Sequence, residues 1–95
     1  SITICNKDGI IIYMNDKSIA TFGNKIGQSL FPCHSEKSIE KIHALLQGGS
    51  NAYTIEKNGL KKIIYQTPWK DDNGEIGGLI EYSFVIPFDM PHHIR

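Results

Sequence analysis

Alternating apolar and polar residues mark five short segments of this 95-residue chain as β-strands. These segments are rich in Ile, Tyr, Val and Thr, which favour extended backbone. They cover residues 2–4, 10–14, 53–56, 61–67 and 79–86. Pro68 is expected to end the pairing of the fourth strand, because proline has no backbone N–H to donate.

Three Asx-Gly pairs separate consecutive strands: Asp8-Gly9, Asn58-Gly59 and Asn73-Gly74. Such pairs supply the positive φ angles that two-residue turns require. We therefore predict three β-hairpins of this type.

Helical spacing replaces the alternation between the second and third strands. The apolar face of the main helix repeats every three or four positions, at Ile39, Ile42, Leu45 and Leu46. Ser35 is its expected N-cap, and Gly48-Gly49 ends the run. A shorter helix before it begins at Asn15 or Asp16 and ends at Gly23. This order predicts an α+β fold in which helices cover one face of a single antiparallel sheet.

Composition predicts a single domain over residues 1–95, with residues 87–95 as a tail or linker. A chain of this length with 40% hydrophobic residues can bury one core. The chain begins at Ser1 within strand-like sequence and without Met, so we expect it to be a piece of a longer protein.

Charge and cysteine content narrow the expected partners and location. Ten acidic and ten basic residues are interspersed and give a formal net charge of zero, which argues against nucleic acid as a partner. The sequence contains neither an apolar run of about 20 residues nor a signal peptide, so we expect no membrane association. The two cysteines, Cys5 and Cys33, are too few for a disulfide framework and favour a cytoplasmic location.

An ordered set of motifs runs along nearly the whole chain. It comprises Asp8-Gly9-x-Ile11-x-Tyr13-x-Asn15, Phe22, Ile26-Gly27-Gln28-Ser29-Leu30, and Pro68 followed by Asp72-Asn73-Gly74-Glu75-x-Gly77-Gly78. In this order the motifs resemble the Per-Arnt-Sim (PAS) sensor domains. The resemblance implies a five-stranded antiparallel sheet in the order 2-1-5-4-3, with helices across one face.

Two further segments bear on this resemblance. The segment from Phe31 to Ser35 is similar to a bacterial PAS subgroup in which a Cys-His pair, here Cys33-His34, opens the long helix. Many PAS domains continue from the last strand into a signalling helix. Here Pro87 and Pro91 follow that strand, so we expect no immediate helix.

Two histidines are candidates for binding a cofactor. The resemblance implies that His43 could be an axial haem ligand, as in haem-binding PAS domains, with His34 as the alternative. The competing interpretation makes His43 a boundary residue with one nitrogen in water, and His34 a loop residue bonded to backbone.

Enzymatic chemistry is not expected. Cys33 beside His34 could be an activated thiol, but no third residue is placed to orient the histidine. His92-His93 lacks a second cluster at metal-ligand spacing. We therefore predict neither a catalytic nor a metal site.

A small apolar cavity is expected between the main helix and the sheet. Its predicted lining is drawn from Phe31, Ile39, Ile42, His43, Leu46 and Tyr65, and from Glu81 in the alternative face assignment given below. In the last strand, we expect the fully apolar set with Ile80, Tyr82 and Phe84 to face the core and Glu81 to face water, because an unpaired buried carboxylate is costly. The alternative places Glu81 in a pocket and Tyr82 and Phe84 on a subunit-facing surface.

The sequence thus predicts a sensory, ligand-binding or protein-interaction PAS module of a bacterial signal-transduction protein. A homodimer formed through the sheet face is expected. The alternatives are a haem or other cofactor sensor using His43 or His34, and a dimerisation module without ligand.

Overall fold

The computed structural model describes residues 1–30 and 36–95, apart from the side chains of residues 36–39 and 41. Its elements are the strands β1 (Ile2–Asn6), β2 (Ile11–Met14), β3 (Asn51–Lys57), β4 (Leu60–Lys70) and β5 (Ile76–Ile86), with the helices α1 (Asp16–Phe22) and α2 (Glu36–Leu45) between β2 and β3. The sheet is antiparallel in the order β2-β1-β5-β4-β3. The predicted fold class and strand order are confirmed.

All three predicted hairpins form, but one alone has the predicted two-residue turn. Asn58 and Gly59 both have positive φ, 54° and 75°, and link Lys57 to Leu60. In the other two hairpin loops, the glycine is the one residue with positive φ. A side chain at the start of each loop, Asn6 or Asp71, stabilises the loop by accepting backbone hydrogen bonds. Asn6 Oδ1 accepts from two backbone amides of the first loop, and Asp71 Oδ1 does the same in the last.

The prediction that Pro68 ends β4 is wrong, because the strand continues to Lys70. Pro68 lies opposite Leu79 of β5. The other neighbour, β3, pairs with β4 only as far as Gln66, so β4 is an edge strand at Pro68. A residue without an N–H is tolerated at such an edge.

The short helix α1 begins and ends as predicted. The side chain of Asn15 accepts a hydrogen bond from the backbone N–H of Ser18 at 3.0 Å, and Gly23 has a φ of 81° at the C-terminal end. Asn15 Oδ1 also accepts from the backbone N–H of Ile2 at 3.0 Å. The cap therefore joins α1 to β1 as well as starting the helix.

The core lies between α2 and the centre of the sheet. Cys5 of β1, Leu79 of β5 and Ile42 and Leu45 of α2 form its buried cluster, against which Leu30 and Leu46 pack. After β5, residues 87–95 contain no helix or strand, as expected from the two prolines. Within the described parts of the chain, no helix is long and apolar enough to cross a membrane.

The preferred assignment of the faces of β5 is wrong. Leu79 and Ser83 are buried beneath the helices, so Glu81, which lies between them, is on the inner face. The aromatic side chains of the alternate positions lie on the outer face, where Phe84 is 51% exposed. Glu81 is partly buried rather than fully enclosed, which lowers the cost that favoured placing it in water.

Candidate sensory cavity

The candidate site is a cavity between the inner face of the sheet and the segment that follows β2. This sheet–helix cavity has a volume of about 150 Å³. Its lining combines four apolar residues, Ile11, Met14, Phe22 and Leu30, with the polar or charged Ser1, Thr3, Lys25, Ser29 and Glu81. A narrower recess of about 20 Å³ shares Thr3, Leu30 and Glu81 with it and extends to the buried Cys5 and Ile42.

A row of polar side chains crosses the inner face at the level of the cavity. Strand pairing sets Thr3 opposite Glu81, Glu81 opposite Gln66, and Gln66 opposite Asn51. At one end of the row the hydroxyls of Thr3 and Ser18 are 2.5 Å apart, and at the other the Asn51 amide donates to Gln66 Oε1 at 3.2 Å. Opposed residues on antiparallel strands share a face, so the row forms a polar stripe across the inner face of the sheet.

Local sequence explains how the segment after β2 is held over the sheet. The backbone N–H groups of Ile11 and Leu30 donate to the carbonyl oxygens of Gln28 and Gly9, at 2.9 and 2.8 Å. Gly27, whose φ is 88°, donates to the Ile11 carbonyl oxygen at 2.7 Å. These bonds fix Ser29 and Leu30 beside β2, where they line the cavity.

The negative charge of Glu81 contributes to the pKa values of two nearby groups, Tyr53 and Cys5. The pKa of the Tyr53 hydroxyl is raised, mainly by burial and further by the Glu81 charge. The pKa of the Cys5 thiol is also raised, first by burial, with a further contribution from Glu81. Cys5 is a free thiol with 2% exposure, so these effects keep it protonated rather than nucleophilic.

Two of the predicted lining residues lie at the cavity or its recess. Glu81 lines both, and Ile42 lines the recess. Leu46 packs against the core next to them. Phe31, His34 and the Cys33-His34 pair lie outside the described residues, as does the side chain of Ile39, so their roles stay predictions.

The predicted position of Tyr65 in the cavity is wrong, and His43 is not among the described residues that line the cavity or its recess. His43 follows Ile42 by one residue, about 100° around the helix, and this rotation leaves His43 exposed while Ile42 is buried. Tyr65 lies opposite Tyr82 on the outer face of the sheet and is 40% exposed. Among the described residues, no cluster of three potential metal ligands forms.

Sequence reasoning missed the residues that β1 and the segment after β2 contribute, notably Thr3, Met14 and Leu30. Thr3 alternates with Ile2 and Ile4, and this pattern could have indicated a second face of β1. Its partner across the sheet is 78 positions away, at Glu81. A contact between residues so far apart in the sequence cannot be predicted from the residues next to either of them.

No protein-family model and no curated protein matches this sequence. Solved structures do match. A C-terminal domain from Streptococcus mutans is 26% identical, with a TM-score of 0.68 over 86% of this chain and 72% of that one. The PAS domain of the histidine kinase ThkA is 19% identical, with a TM-score of 0.72 over 86% of this chain and 94% of that one.

A third similar structure is the Aer2 receptor of Vibrio cholerae, described as a dual PAS-heme oxygen sensor. It is 15% identical, with a TM-score of 0.67 over 90% of this chain and 93% of that one. Together with the strand order, these matches decide the fold. The chain has the PAS fold. At these identities the likeness concerns the fold and carries no ligand or activity to this chain.

The described part of the sheet–helix cavity is small for haem, and His34, the alternative predicted ligand, lies outside the described residues. The cavity of about 150 Å³ is smaller than the roughly 300–1,000 Å³ of typical cofactor and drug-sized ligand pockets. His43, the predicted iron ligand, is exposed on α2 and is not among the described lining residues. The described geometry suits a smaller molecule.

Proposed function

We propose that this chain is a sensory module that binds a small molecule in the sheet–helix cavity and serves a bacterial, cytoplasmic signal-transduction protein. The observation that carries the proposal is the cavity itself, which lies next to the buried core and sets the apolar Ile11, Met14 and Leu30 beside polar groups that include Thr3 and Glu81. Pockets for small molecules combine such apolar walls with a few convergent polar groups. The ThkA and Aer2 structures, a kinase and a receptor, support a signalling role for the same fold.

We further propose that the module has no catalytic activity of its own. Cys5 is the thiol among the residues at the cavity and its recess, and its raised pKa favours the unreactive protonated form. Signalling would then depend on ligand occupancy rather than turnover.

Native mass spectrometry of the purified chain tests ligand binding, with the ligand identified after denaturation. A bound small molecule is expected. Leu30→Trp fills the cavity and is expected to abolish the bound mass, whereas Leu60→Trp, at the exposed β3–β4 turn, is expected to retain it. Equal retention by both variants, with unchanged melting, would place the ligand elsewhere and contradict the proposal.

A second candidate role is homodimerisation through the outer face of the sheet. Tyr82 lies between Tyr65 and Phe84, with ring centroids 6.4 and 6.2 Å apart, and the flanking pair is 40% and 51% exposed. Such a contiguous aromatic patch is typical of interfaces. With a formal net charge of zero, two copies repel each other weakly.

Sedimentation equilibrium at high micromolar concentration tests the dimer. A dimer mass is expected for the unaltered chain, and Phe84→Lys is expected to give a monomer. Leu60→Lys is the matched control, because Leu60 is 48% exposed but lies at the β3–β4 turn. A monomeric mass for the unaltered chain would refute this role and leave the cavity proposal intact.

A further inference from the structure

The two edges of the sheet differ in whether another part of the chain covers them. β2 forms one edge, and the segment that follows α1 lies along it. There the N–H of Ile11 donates to the Gln28 carbonyl oxygen at 2.9 Å, and the Ile11 carbonyl oxygen accepts from the N–H of Gly27 at 2.7 Å. β3 forms the other edge. No hydrogen bond between described residues joins the outward side of β3 to another segment, so the sheet is open at this edge.

The hairpin turn determines which backbone groups of β3 point outward. The two-residue turn makes the flanking residues, Lys57 and Leu60, a hydrogen-bonded pair. Hydrogen-bonded and non-hydrogen-bonded pairs then alternate along the β3–β4 ladder, which has no register shift. Ala52, Thr54 and Glu56 consequently direct their N–H and carbonyl groups away from β4. Such a row of outward donors and acceptors is what an added strand pairs with.

The inner face of β3 carries apolar side chains that are partly exposed. Tyr53 lies opposite the buried Ile64, which places Tyr53 and, two residues further on, Ile55 on the inner face. Tyr53 is 44% exposed and Ile55 is 37% exposed. Val85 lies in the same cross-strand row as Ile55, beyond Lys62, and is also exposed. A strand added at β3 would cover Tyr53 and Ile55 from the side.

Positive charge is concentrated at the hairpin end of β3. Residues 51–66 include three lysines and one glutamate, Glu56. Glu56 lies opposite Lys61 on the outer face, whereas Lys57 and Lys62 are on the inner face. No ion pair between described residues involves Lys57 or Lys62. The edge is therefore complementary to a strand with acidic side chains, and a second copy of the same hairpin would meet it with like charge.

We infer that β3 is a docking site for an extended acidic segment of a partner protein, which adds to the sheet as an antiparallel strand. The outward backbone groups of β3 supply the hydrogen bonds of the new ladder. β-Branched side chains of the segment pack against Tyr53 and Ile55, and acidic side chains at its beginning pair with Lys57 and Lys62. This interaction goes beyond the proposed ligand binding and uses neither the sheet–helix cavity nor the outer face.

Fluorescence anisotropy with labelled peptides tests the inference. The probe has the sequence Glu-Thr-Glu-Thr-Val-Thr-Ile-Thr, with its second Glu set opposite Lys57, its Val opposite Ile55 and its Ile opposite Tyr53. The control peptide has Lys in place of both Glu residues. At low ionic strength, where exposed charges are least screened, we expect the acidic peptide to bind at least tenfold more tightly than the control. Equal affinities, or no binding of the acidic peptide, would overturn the inference.

Backbone methylation of the probe separates strand addition from attraction by charge alone. The third Thr of the peptide is set opposite Thr54, so its N–H points toward β3, whereas the N–H of the preceding Val points away. We expect N-methylation of this Thr to weaken binding at least tenfold more than N-methylation of the Val. Equal effects of the two methyl groups would show that no ladder forms and would overturn the inference.

Substitution in the chain then locates the binding edge. Thr54→Pro removes an outward N–H, a change that an edge strand tolerates, and Thr54→Ala keeps this N–H. We expect Thr54→Pro to lose binding of the acidic peptide and Thr54→Ala to bind it within about twofold of the parent. Retained binding in a folded Thr54→Pro variant would overturn the inference, as would a dimer that Thr54→Pro dissociates and Phe84→Lys does not. If Thr54→Pro does not fold, the methylated peptides decide the question.

Discussion

The two faces of strand β5 differ in polarity, and the more apolar face is the more exposed one. The inner face places Leu79 at 5% exposure against Cys5 and α2, with Glu81 at the cavity. The outer face leaves Phe84 51% exposed beside Tyr82. From hydrophobicity alone, the face with Tyr82 and Phe84 would be expected in the core and the face with Glu81 in water. The elements that cover a face decide whether it is buried, and α1, α2 and the segment after β2 all lie on the Glu81 side.

The outer face is itself divided into a closed end and an open end. At the closed end, Trp69 lies across Gly77 and Gly78, and its indole N–H donates to the Cys5 carbonyl oxygen at 2.9 Å. The two glycines leave room for the ring. Trp69 therefore ties β4 to β1 across β5, while the aromatic side chains at the other end of β5 remain exposed.

The largest expected effect is a difference in unfolding free energy between substitutions on the two faces of β5. Leu79→Ala should lower the free energy of unfolding by about 2–5 kcal/mol, because it leaves a cavity in the buried cluster. Phe84→Ala, five positions along the same strand but half-exposed, should cost less than about 1 kcal/mol. Urea unfolding of both variants measures the difference. A larger loss for Phe84→Ala would reverse the assignment of the faces.

A smaller effect is expected at the closed end of the outer face. A Cβ at Gly78 would overlap the Cys5 carbonyl oxygen and crowd the Trp69 indole. We expect Gly78→Ala to destabilise by about 1–3 kcal/mol, the usual cost of overpacking, and to shift the Trp69 emission toward that of an exposed indole. Parent-like stability and emission would show that Trp69 does not pack on the two glycines.

The smallest expected effect is a loss of stability at alkaline pH, caused by the Cys5 thiol on the inner face. The pKa of Cys5 is raised above its ordinary value of 9.0, mainly by burial. Folding therefore favours the protonated thiol, and its contribution to stability is complete below about pH 9 and is lost as the pH rises through the folded-state pKa.

Denaturant unfolding of the parent and of Cys5→Ala from pH 7 to pH 10 measures this contribution. The stability difference between the two proteins should shrink above about pH 9. A difference that stays constant over the whole range would indicate that the Cys5 thiol is not shielded from water.

The sequence determined the fold more clearly than the site, for a physical reason. Turn residues such as Gly59 and caps such as Asn15 act within a few positions, so strands, hairpins and α1 could be predicted locally. The site depends on long-range pairing. Thr3 meets Glu81 only because β1 lies beside β5. Alternation separated the two faces of β5 but assigned the wrong one to the core, because the more apolar face is the outer one.

Errors at single residues have the same origin. Tyr65 was expected in the cavity lining, but its register opposite Tyr82 places it on the outer face. His43 was expected at the rim from its spacing to Ile39, and the rotation of α2 leaves it exposed. Each error concerns which way an element faces, which depends on its tertiary neighbours.

Nuclear Overhauser contacts between benzyl alcohol and isoleucine δ1 methyl groups test the central claim, that the Glu81 face is the ligand face. Ile11 and Ile42 line the cavity and its recess, whereas Ile4 and Ile63 pair with residues of the outer face. We expect contacts to Ile11 or Ile42 that disappear in Leu30→Trp, and none to Ile4 or Ile63. Contacts confined to Ile4 or Ile63, or no contacts at saturating probe, would contradict it.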